Sequence, residues 1–159
     1  MNNIKRIALF PGSFDPFTIG HYDIVERALP MFDKIIIAIG FNSDKEGFFK
    51  LDDRIAWIKT AFKHEEKVEV LSYEGLTVDF CHKVGAEFIL RGLRTASDFE
   101  YERAIAQMNR KLHPDLESIF LLTAPEHTPI SSTIVRDIIR HGGDATEFLP
   151  KGVIIDKLN

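Results

Sequence analysis

The sequence is poor in cysteine, since Cys81 is the only one among 159 residues. One thiol excludes an intrachain disulfide and a zinc site built from several cysteines. On a helix with apolar neighbours it is more often a small buried hydrophobe than a nucleophile. Long hydrophobic runs are also missing, because the longest, IIIAIGF, is far shorter than the roughly 20 residues that cross a membrane. The amino-terminal apolar run is too short for a signal peptide. We therefore expect a soluble, cytoplasmic protein without a membrane partner.

Positive charge is not in excess either. The chain has 20 lysines and arginines against 24 aspartates and glutamates, a formal net charge of -4. This balance argues against binding to nucleic acid or an anionic membrane through bulk charge, although it leaves room for a basic pocket that holds a small anion. Internal repeats and low-complexity tracts are absent. We expect one domain over residues 1–159.

Short apolar runs and helical periods alternate along the chain. The runs are rich in branched or aromatic residues, as buried strands are, and cover 4–10, 34–40, 67–73, 87–92 and 118–123. The helical segments cover 21–32, 51–62, 76–85, 97–112 and 131–143. Ser97 and Glu100 have the spacing of a capping box at the start of the fourth segment. The alternation predicts a single-domain, Rossmann-like α/β fold with a five-stranded parallel sheet and helices on both faces.

Two common phosphate-binding motifs are missing, the Walker lysine loop and the G-x-G-x-x-G fingerprint. A parallel sheet binds ligands beyond the carboxyl ends of its strands. Three unusual loops follow predicted strands at such ends: FPGSFDPFTIGH, RGLR and TAPEHTPISST. We expect these three loops to meet on one rim of the sheet.

In the first of these loops, Gly12 and Gly20 permit a close backbone approach or a positive φ. His21 is then expected at the start of the first helix. A helix amino terminus attracts anions, and an imidazole there can donate a hydrogen bond to a phosphoryl oxygen. A purely structural strand-to-helix turn explains this stretch equally well when the stretch is considered alone.

The second loop places Arg91 and Arg94 where guanidinium groups can bridge phosphate oxygens. Taken alone, a solvated basic turn is the simpler interpretation. Glu102 shares a stripe with Phe99 and Ile105 that is predicted to face inward. A carboxylate on an apolar stripe needs a partner or a ligand, so Glu102 is expected to pair with an arginine or to accept hydrogen bonds from a ribose.

The third loop leads into a helix that opens with the hydroxyls of Ser131, Ser132 and Thr133. One hydroxyl would suffice as a cap. Ile134 is predicted on the buried side of this helix. Lys45 falls in a loop after the second strand and is, by itself, most simply a surface lysine. Four histidines lack paired metal-ligand spacing, so no protein metal site is predicted from them; they are His64, His82, His113 and His141.

Taken together, GSFDPFTIGH, RGLR, DFEYE, MNR and ISSTIVR, in this order on this alternation, resemble the bacterial nucleotidyltransferases of the T/HxGH class. Within that class they are most similar to the phosphopantetheine adenylyltransferase family, over essentially the whole chain down to GDATEFLP. The resemblance implies transfer of the adenylyl group of ATP to 4'-phosphopantetheine, giving dephospho-coenzyme A and pyrophosphate in coenzyme A biosynthesis. It also implies Mg²⁺ carried by the nucleotide, a homohexamer, and coenzyme A as a candidate feedback ligand.

The resemblance also assigns site residues. Catalysis is expected from His21, Lys45 and Arg94. The acceptor is expected to contact Ser13, Lys45, Thr77 and Arg91, where Thr77 replaces a usually apolar residue. The residues expected to contact ATP are Ser13, Phe14, His21, Gly92, Leu93, Arg94, Glu102, His127, Thr128, Pro129, Ile130, Ser131, Ser132 and Thr133. Such an in-line displacement at phosphorus depends on positioning and electrostatic stabilisation, and the anionic acceptor phosphate needs no general base.

Two other functions stay open at this point. One is a different nucleotidyltransferase of the same class, a cytidylyltransferase or a nicotinamide mononucleotide adenylyltransferase. The other is a noncatalytic nucleotide-binding module that has kept the fold. The nucleotide specificity of the product separates the first alternative, and the release of pyrophosphate separates the second.

Overall fold

The five predicted strands form one parallel sheet in the computed structural model, which describes residues 5–155. The spatial order is β3-β2-β1-β4-β5. The strands are β1 (Ile7–Gly12), β2 (Lys34–Gly40), β3 (Val68–Tyr73), β4 (Phe88–Leu93) and β5 (Glu117–Leu122). Residue 4, where the first strand was predicted to begin, lies outside the described residues, as do the other terminal residues of the predicted domain.

Each predicted helical segment contains a helix. They are α1 (Ile19–Ala28), α2 (Leu51–Ala61), α3 (Thr77–Val84), α4 (Ala96–Leu112) and α5 (Ser132–Arg140). Three short 3₁₀ helices follow α1, β5 and α5, at Leu29–Met31, Pro125–His127 and Thr146–Phe148. Within the described part of the chain, no helix is both long and apolar enough to cross a membrane.

Alternate residues of the central strands supply two cores, one on each face of the sheet. Phe10 and Ile37 pack with α1 and α2, whereas Leu9 and Ile36 pack with α3 on the opposite face. Cys81 belongs to the second core and is 1% exposed, as predicted, and its burial raises the pKa of the thiol to about 12. A third cluster joins α5 to the segment that follows it.

The order of the strands reverses between β1 and β4, which makes this position the topological switch point where such sheets bind ligands. β1 pairs with β2 along its whole length, including Pro11 and Gly12, which were predicted to lie beyond the strand. With β4, β1 pairs only at Ala8 and Leu9. The carboxyl ends of β1 and β4 are therefore not joined, and a crevice opens between them.

The predicted cap at the start of α4 is wrong. The helix begins at Ala96, and Thr95 rather than Ser97 caps it, because the Thr95 hydroxyl accepts the backbone N–H of Asp98 at 3.1 Å. The predicted capping box of Ser97 and Glu100 is thus replaced by a cap two residues earlier.

Two predicted buried stripes are also partly wrong. On α4, Phe99 and Ile105 remain 41% and 37% exposed, and Glu102 is the buried residue of this helix. Ile105 faces a cavity beneath α4, whereas the Phe99 ring meets the Phe120 ring of β5 edge-on at a centroid distance of 6.2 Å. On α5, Val135 is buried in the third cluster as predicted, whereas Ile134, in the first turn, is 50% exposed.

Candidate active site

Two cavities open at the crevice, and they share a wall. Cavity 1 has a volume of about 350 Å³ and lies beside α1 and the start of α5, whereas cavity 2 has a volume of about 380 Å³ and lies beneath α4 and the start of α3. The residues that line both are Pro11, Gly12, Ser13, Arg91 and Glu102. The three loops meet on one rim, as predicted, because all three contribute to cavity 1.

The side chain of His21 is fixed by a reciprocal cap at the start of α1. The Thr18 hydroxyl accepts the His21 backbone N–H at 3.4 Å, and the Thr18 backbone N–H donates to His21 Nδ1 at 3.0 Å. His21 is therefore the third residue of α1 and lies in its first turn, in agreement with its predicted place at the start of the first helix. Because Nδ1 accepts a hydrogen bond, the proton of the neutral imidazole lies on Nε2. His21 lines cavity 1 with a hydrogen-bond donor available.

The surroundings of His21 keep it uncharged. Its ring lies among the rings of Phe10, Phe14 and Phe17, at centroid distances of 6.3, 5.1 and 5.3 Å. Burial lowers the pKa of His21 to about 3, and the positive charges of Arg91 and Arg94 add to this effect. At neutral pH the imidazole is thus a neutral donor, which the sequence left undecided.

Arg91 and Glu102 form an ion pair in the wall between the cavities. Arg91 Nε and Nη2 donate to the two carboxylate oxygens of Glu102 at 3.1 and 2.5 Å, and Nη1 donates to the Pro11 carbonyl at 2.5 Å. Two of the five guanidinium N–H groups then remain for a ligand. The arginine partner that we considered for Glu102 is therefore present.

The turn after β1 brings the backbone of Gly12 close to the ring of Phe14. A Cβ on Gly12 would lie 2.8 Å from the Phe14 ring, and Phe14 itself has φ of 46°. Gly12 thus permits a close approach, as expected, but has no positive φ. A Cβ on Gly20 would meet nothing closer than 3.6 Å. Gly20 therefore leaves space at cavity 1.

The hydroxyls before α5 tie that helix to the same turn. Ser131 caps α5 by accepting the Ile134 backbone N–H at 3.3 Å. Ser132 donates to the Pro16 carbonyl at 2.8 Å, and Thr133 accepts from Arg136 at 3.2 Å. Each of the three hydroxyls thus has a partner within the protein, and all three line cavity 1.

Sequence reasoning missed the residues that hold the turn in place. Buried Asp15 accepts the backbone N–H groups of Phe48 and Phe49 at 2.7 and 2.9 Å. Arg54 donates to the Ser13 carbonyl, and Arg136 donates to the Asp15 carbonyl, each at 2.7 Å.

The sequence held a signal for Arg54 and Arg136, and also for Thr18, the residue that fixes His21. Arg54 shares a helical face with Leu51 and Ile58, and a charge on an apolar face needs a partner. Arg136 lies within the motif ISSTIVR. Thr18 lies three residues before His21, the spacing of a helix cap.

Lys45 is not at the cavities. It is exposed, lines neither of them, and its backbone N–H donates to the Asn42 carbonyl at 3.0 Å in a tight turn. The same turn is bonded to the residue after β3, since Ser43 donates its backbone N–H and its hydroxyl to Glu74 at 2.9 and 2.7 Å. The role of Lys45 stays a prediction.

Most of the other predicted residues line a cavity. Thr77 and Arg91 lie on cavity 2. The residues on cavity 1 include Ser13, Phe14, His21, Gly92, Arg94, Glu102, His127, Ile130, Ser131, Ser132 and Thr133. Leu93, Thr128 and Pro129 line neither; Leu93 follows Gly92 on β4 and so faces the opposite side of the sheet, where it is buried.

Metal-ligating side chains do not gather near the cavities. No group of three or more histidine, cysteine or acidic side chains in residues 5–155 has the geometry to hold a metal ion. The two acidic side chains on cavity 1 are Asp98 and Glu102, and each is paired with an arginine. The donor set of the cavity is therefore suited to phosphate oxygens.

Comparisons with known proteins agree with this geometry. Residues 9–138 match the cytidylyltransferase-like family. The phosphopantetheine adenylyltransferase of Flavobacterium psychrophilum is 58% identical over 93% of this chain and 97% of that protein. The enzyme of the same name from Clostridium botulinum is 46% identical over 95% of each chain. Among solved structures, a putative nicotinate-nucleotide adenylyltransferase from Vibrio parahaemolyticus has a TM-score of 0.71 at 19% identity, covering 94% of this chain and 96% of that one, which shows a shared fold.

Proposed function

The chain belongs to the phosphopantetheine adenylyltransferase family, and from that premise we propose that it transfers the adenylyl group of ATP to 4'-phosphopantetheine. The products are dephospho-coenzyme A and pyrophosphate. The observation that supports this most directly is the pair of cavities that share Ser13, Arg91 and Glu102. One cavity suits a nucleotide and the other an elongated acceptor, so the two reacting phosphates would meet at the shared wall.

The chemistry proposed for this wall is direct displacement at the α-phosphorus. An oxygen of the acceptor phosphate forms the new P–O bond, and the bond to pyrophosphate breaks. In the transition state the negative charge spreads over the nonbridging oxygens, so fixed donors stabilise it. Neutral His21 supplies its Nε2–H, and Arg91 and Arg94 supply charge. The amino termini of α1 and α5 add backbone N–H groups.

Lys45 is proposed to reach the reacting phosphate from the exposed turn that follows β2. Its flexible four-carbon stem and compact charge suit that task. Mg²⁺ is proposed to enter on the phosphates of ATP, because the acidic side chains of cavity 1 are engaged with arginines. When bound, it neutralises phosphate charge.

Three wider properties are proposed from the family alone: a cytoplasmic location, a homohexamer, and coenzyme A as a feedback ligand. On α4, Met108 is 58% exposed, lines neither cavity and is available for subunit contact. Sedimentation equilibrium tests the assembly, and inhibition of turnover by added coenzyme A tests the feedback.

A pyrophosphate-release assay with ATP, Mg²⁺ and 4'-phosphopantetheine tests the function. We expect release that depends on both substrates and a product with the mass of dephospho-coenzyme A. CTP in place of ATP tests the cytidylyltransferase alternative, and nicotinamide mononucleotide as acceptor tests the other one. Binding of ATP without release of pyrophosphate in the presence of the acceptor would refute the enzymatic function.

A further inference from the structure

Cavity 2 is lined by apolar side chains and by several polar ones, among them two hydroxyl groups that are hydrogen-bonded to each other. Tyr73 is the last residue of β3 and Thr77 is the first of α3, and their hydroxyl oxygens lie 2.7 Å apart. Both line the cavity, with apolar neighbours that include Leu76, Val78 and Phe120. A polar group in such a wall is placed where it can orient a ligand.

The Tyr73 ring is held in one position from several sides. It stacks on Phe80 with a centroid distance of 4.8 Å and an interplanar angle of 10°. It also lies over Gly40, where a Cβ would come within 3.3 Å of the phenolic oxygen. The Tyr73 carbonyl accepts the Phe41 backbone N–H at 3.0 Å. The hydroxyl is therefore set in place before a ligand arrives.

The two hydroxyls of Tyr73 and Thr77 have one more hydrogen-bond donor than their mutual bond uses. Two hydroxyls have two O–H donors, and the bond between them uses one. Within residues 5–155, neither hydroxyl makes a second hydrogen bond. Burial raises the pKa of Tyr73, so its O–H stays protonated at neutral pH. One donor of the pair therefore remains for a ligand in cavity 2.

We propose that Tyr73 is a specificity-determining residue whose hydroxyl, oriented by Thr77, binds an amide of the acceptor arm. The proposal rests on the proposed function, which places the acceptor in cavity 2. Its phosphate would lie at the wall that holds Ser13 and Arg91, and its arm, which contains two secondary amides, would run along the cavity past Tyr73. A buried amide without a partner is costly, so a wall that supplies one discriminates against arms that lack amides.

Calorimetric titration of the full chain with 4'-phosphopantetheine, without ATP, tests the proposal. The substitution Tyr73→Phe removes the hydroxyl and keeps the ring. We expect binding to weaken by about 2- to 13-fold, the effect of one neutral hydrogen bond, with unchanged affinity for ATP. Thr77→Val should weaken acceptor binding in the same direction, and Thr77→Ser should restore it. Tyr22→Phe is the matched control, since the Tyr22 hydroxyl contacts Glu26 and lines neither cavity.

Octyl phosphate, an acceptor analogue without amides, separates hydrogen bonding from wall shape. Its affinity is measured by displacement of 4'-phosphopantetheine, and we expect wild-type protein and Tyr73→Phe to bind it equally well. Equal weakening for both ligands, or no weakening for either, would overturn the proposal. Failure of the proposed function gives a different result, namely no pyrophosphate from the wild-type protein, whatever the binding data show.

Discussion

Replacement of His21 by alanine should slow turnover far more than it weakens nucleotide binding. The structure makes His21 a neutral donor, with Nδ1 occupied by the Thr18 backbone N–H and the residue itself lining cavity 1. Loss of one donor aimed at charge that develops in the transition state costs about 2.7–4 kcal/mol, or about 10²–10³ in kcat. Steady-state pyrophosphate release should show this loss, and calorimetry should show nearly unchanged ATP affinity. His64→Ala, at an exposed histidine, is the control.

The pH dependence is a sharper test of the same residue. With a pKa of about 3, only about 1% of His21 is charged at pH 5. The imidazole should therefore add no acid limb to the kcat profile between pH 5 and 9. A limb with an apparent pKa of 6 to 7 that disappears in a His21 variant would refute the neutral-donor reasoning, as would unchanged turnover in the folded His21→Ala protein.

His21 should also make folding sensitive to acid. Its pKa is lower in the folded protein than in the unfolded chain, so the unfolded chain binds more protons between pH 6.5 and about pH 3. The free energy of unfolding then falls as pH drops through that window, by at most about 2–3 kcal/mol between pH 6.5 and 4.5. Urea titrations should show a smaller acid loss for His21→Ala than for the wild type. An equal loss in both would show that His21 is not the source.

Four further substitutions test the residues that surround His21. Gly12→Ala pushes a methyl group against the Phe14 ring and should lower the free energy of unfolding in urea by about 1–3 kcal/mol. Gly20→Ala should leave the free energy of unfolding unchanged and raise the KM for ATP. A larger loss of stability for Gly20→Ala than for Gly12→Ala would contradict the packing. Asp15→Asn removes one of two carboxylate acceptors and should cost about 1–3 kcal/mol, with wild-type stability as the contrary result. Glu102→Gln weakens the ion pair with Arg91 in the shared wall and should raise the KM for both substrates. A raised KM for ATP alone would show that the ion pair does not contribute to binding of the acceptor.

Sequence reasoning located the strands and the rim because these depend on local pattern. A buried strand needs a short apolar run, and each of the five runs became one. It failed where neighbours in space decide the outcome. Thr95 rather than Ser97 caps α4, and Ile105 stayed 37% exposed because it faces cavity 2.

The sequence by itself determined the alternation of strands and helices, the single thiol, and the motifs that indicate the family. Only the tertiary structure decided the protonation of His21, because its pKa depends on burial and on Arg91 and Arg94, which lie about seventy residues away in the chain. It also decided that Glu102 pairs with Arg91 and that Lys45 stands apart from both cavities. Distances between side chains on different elements are set by packing, and a linear pattern does not specify them.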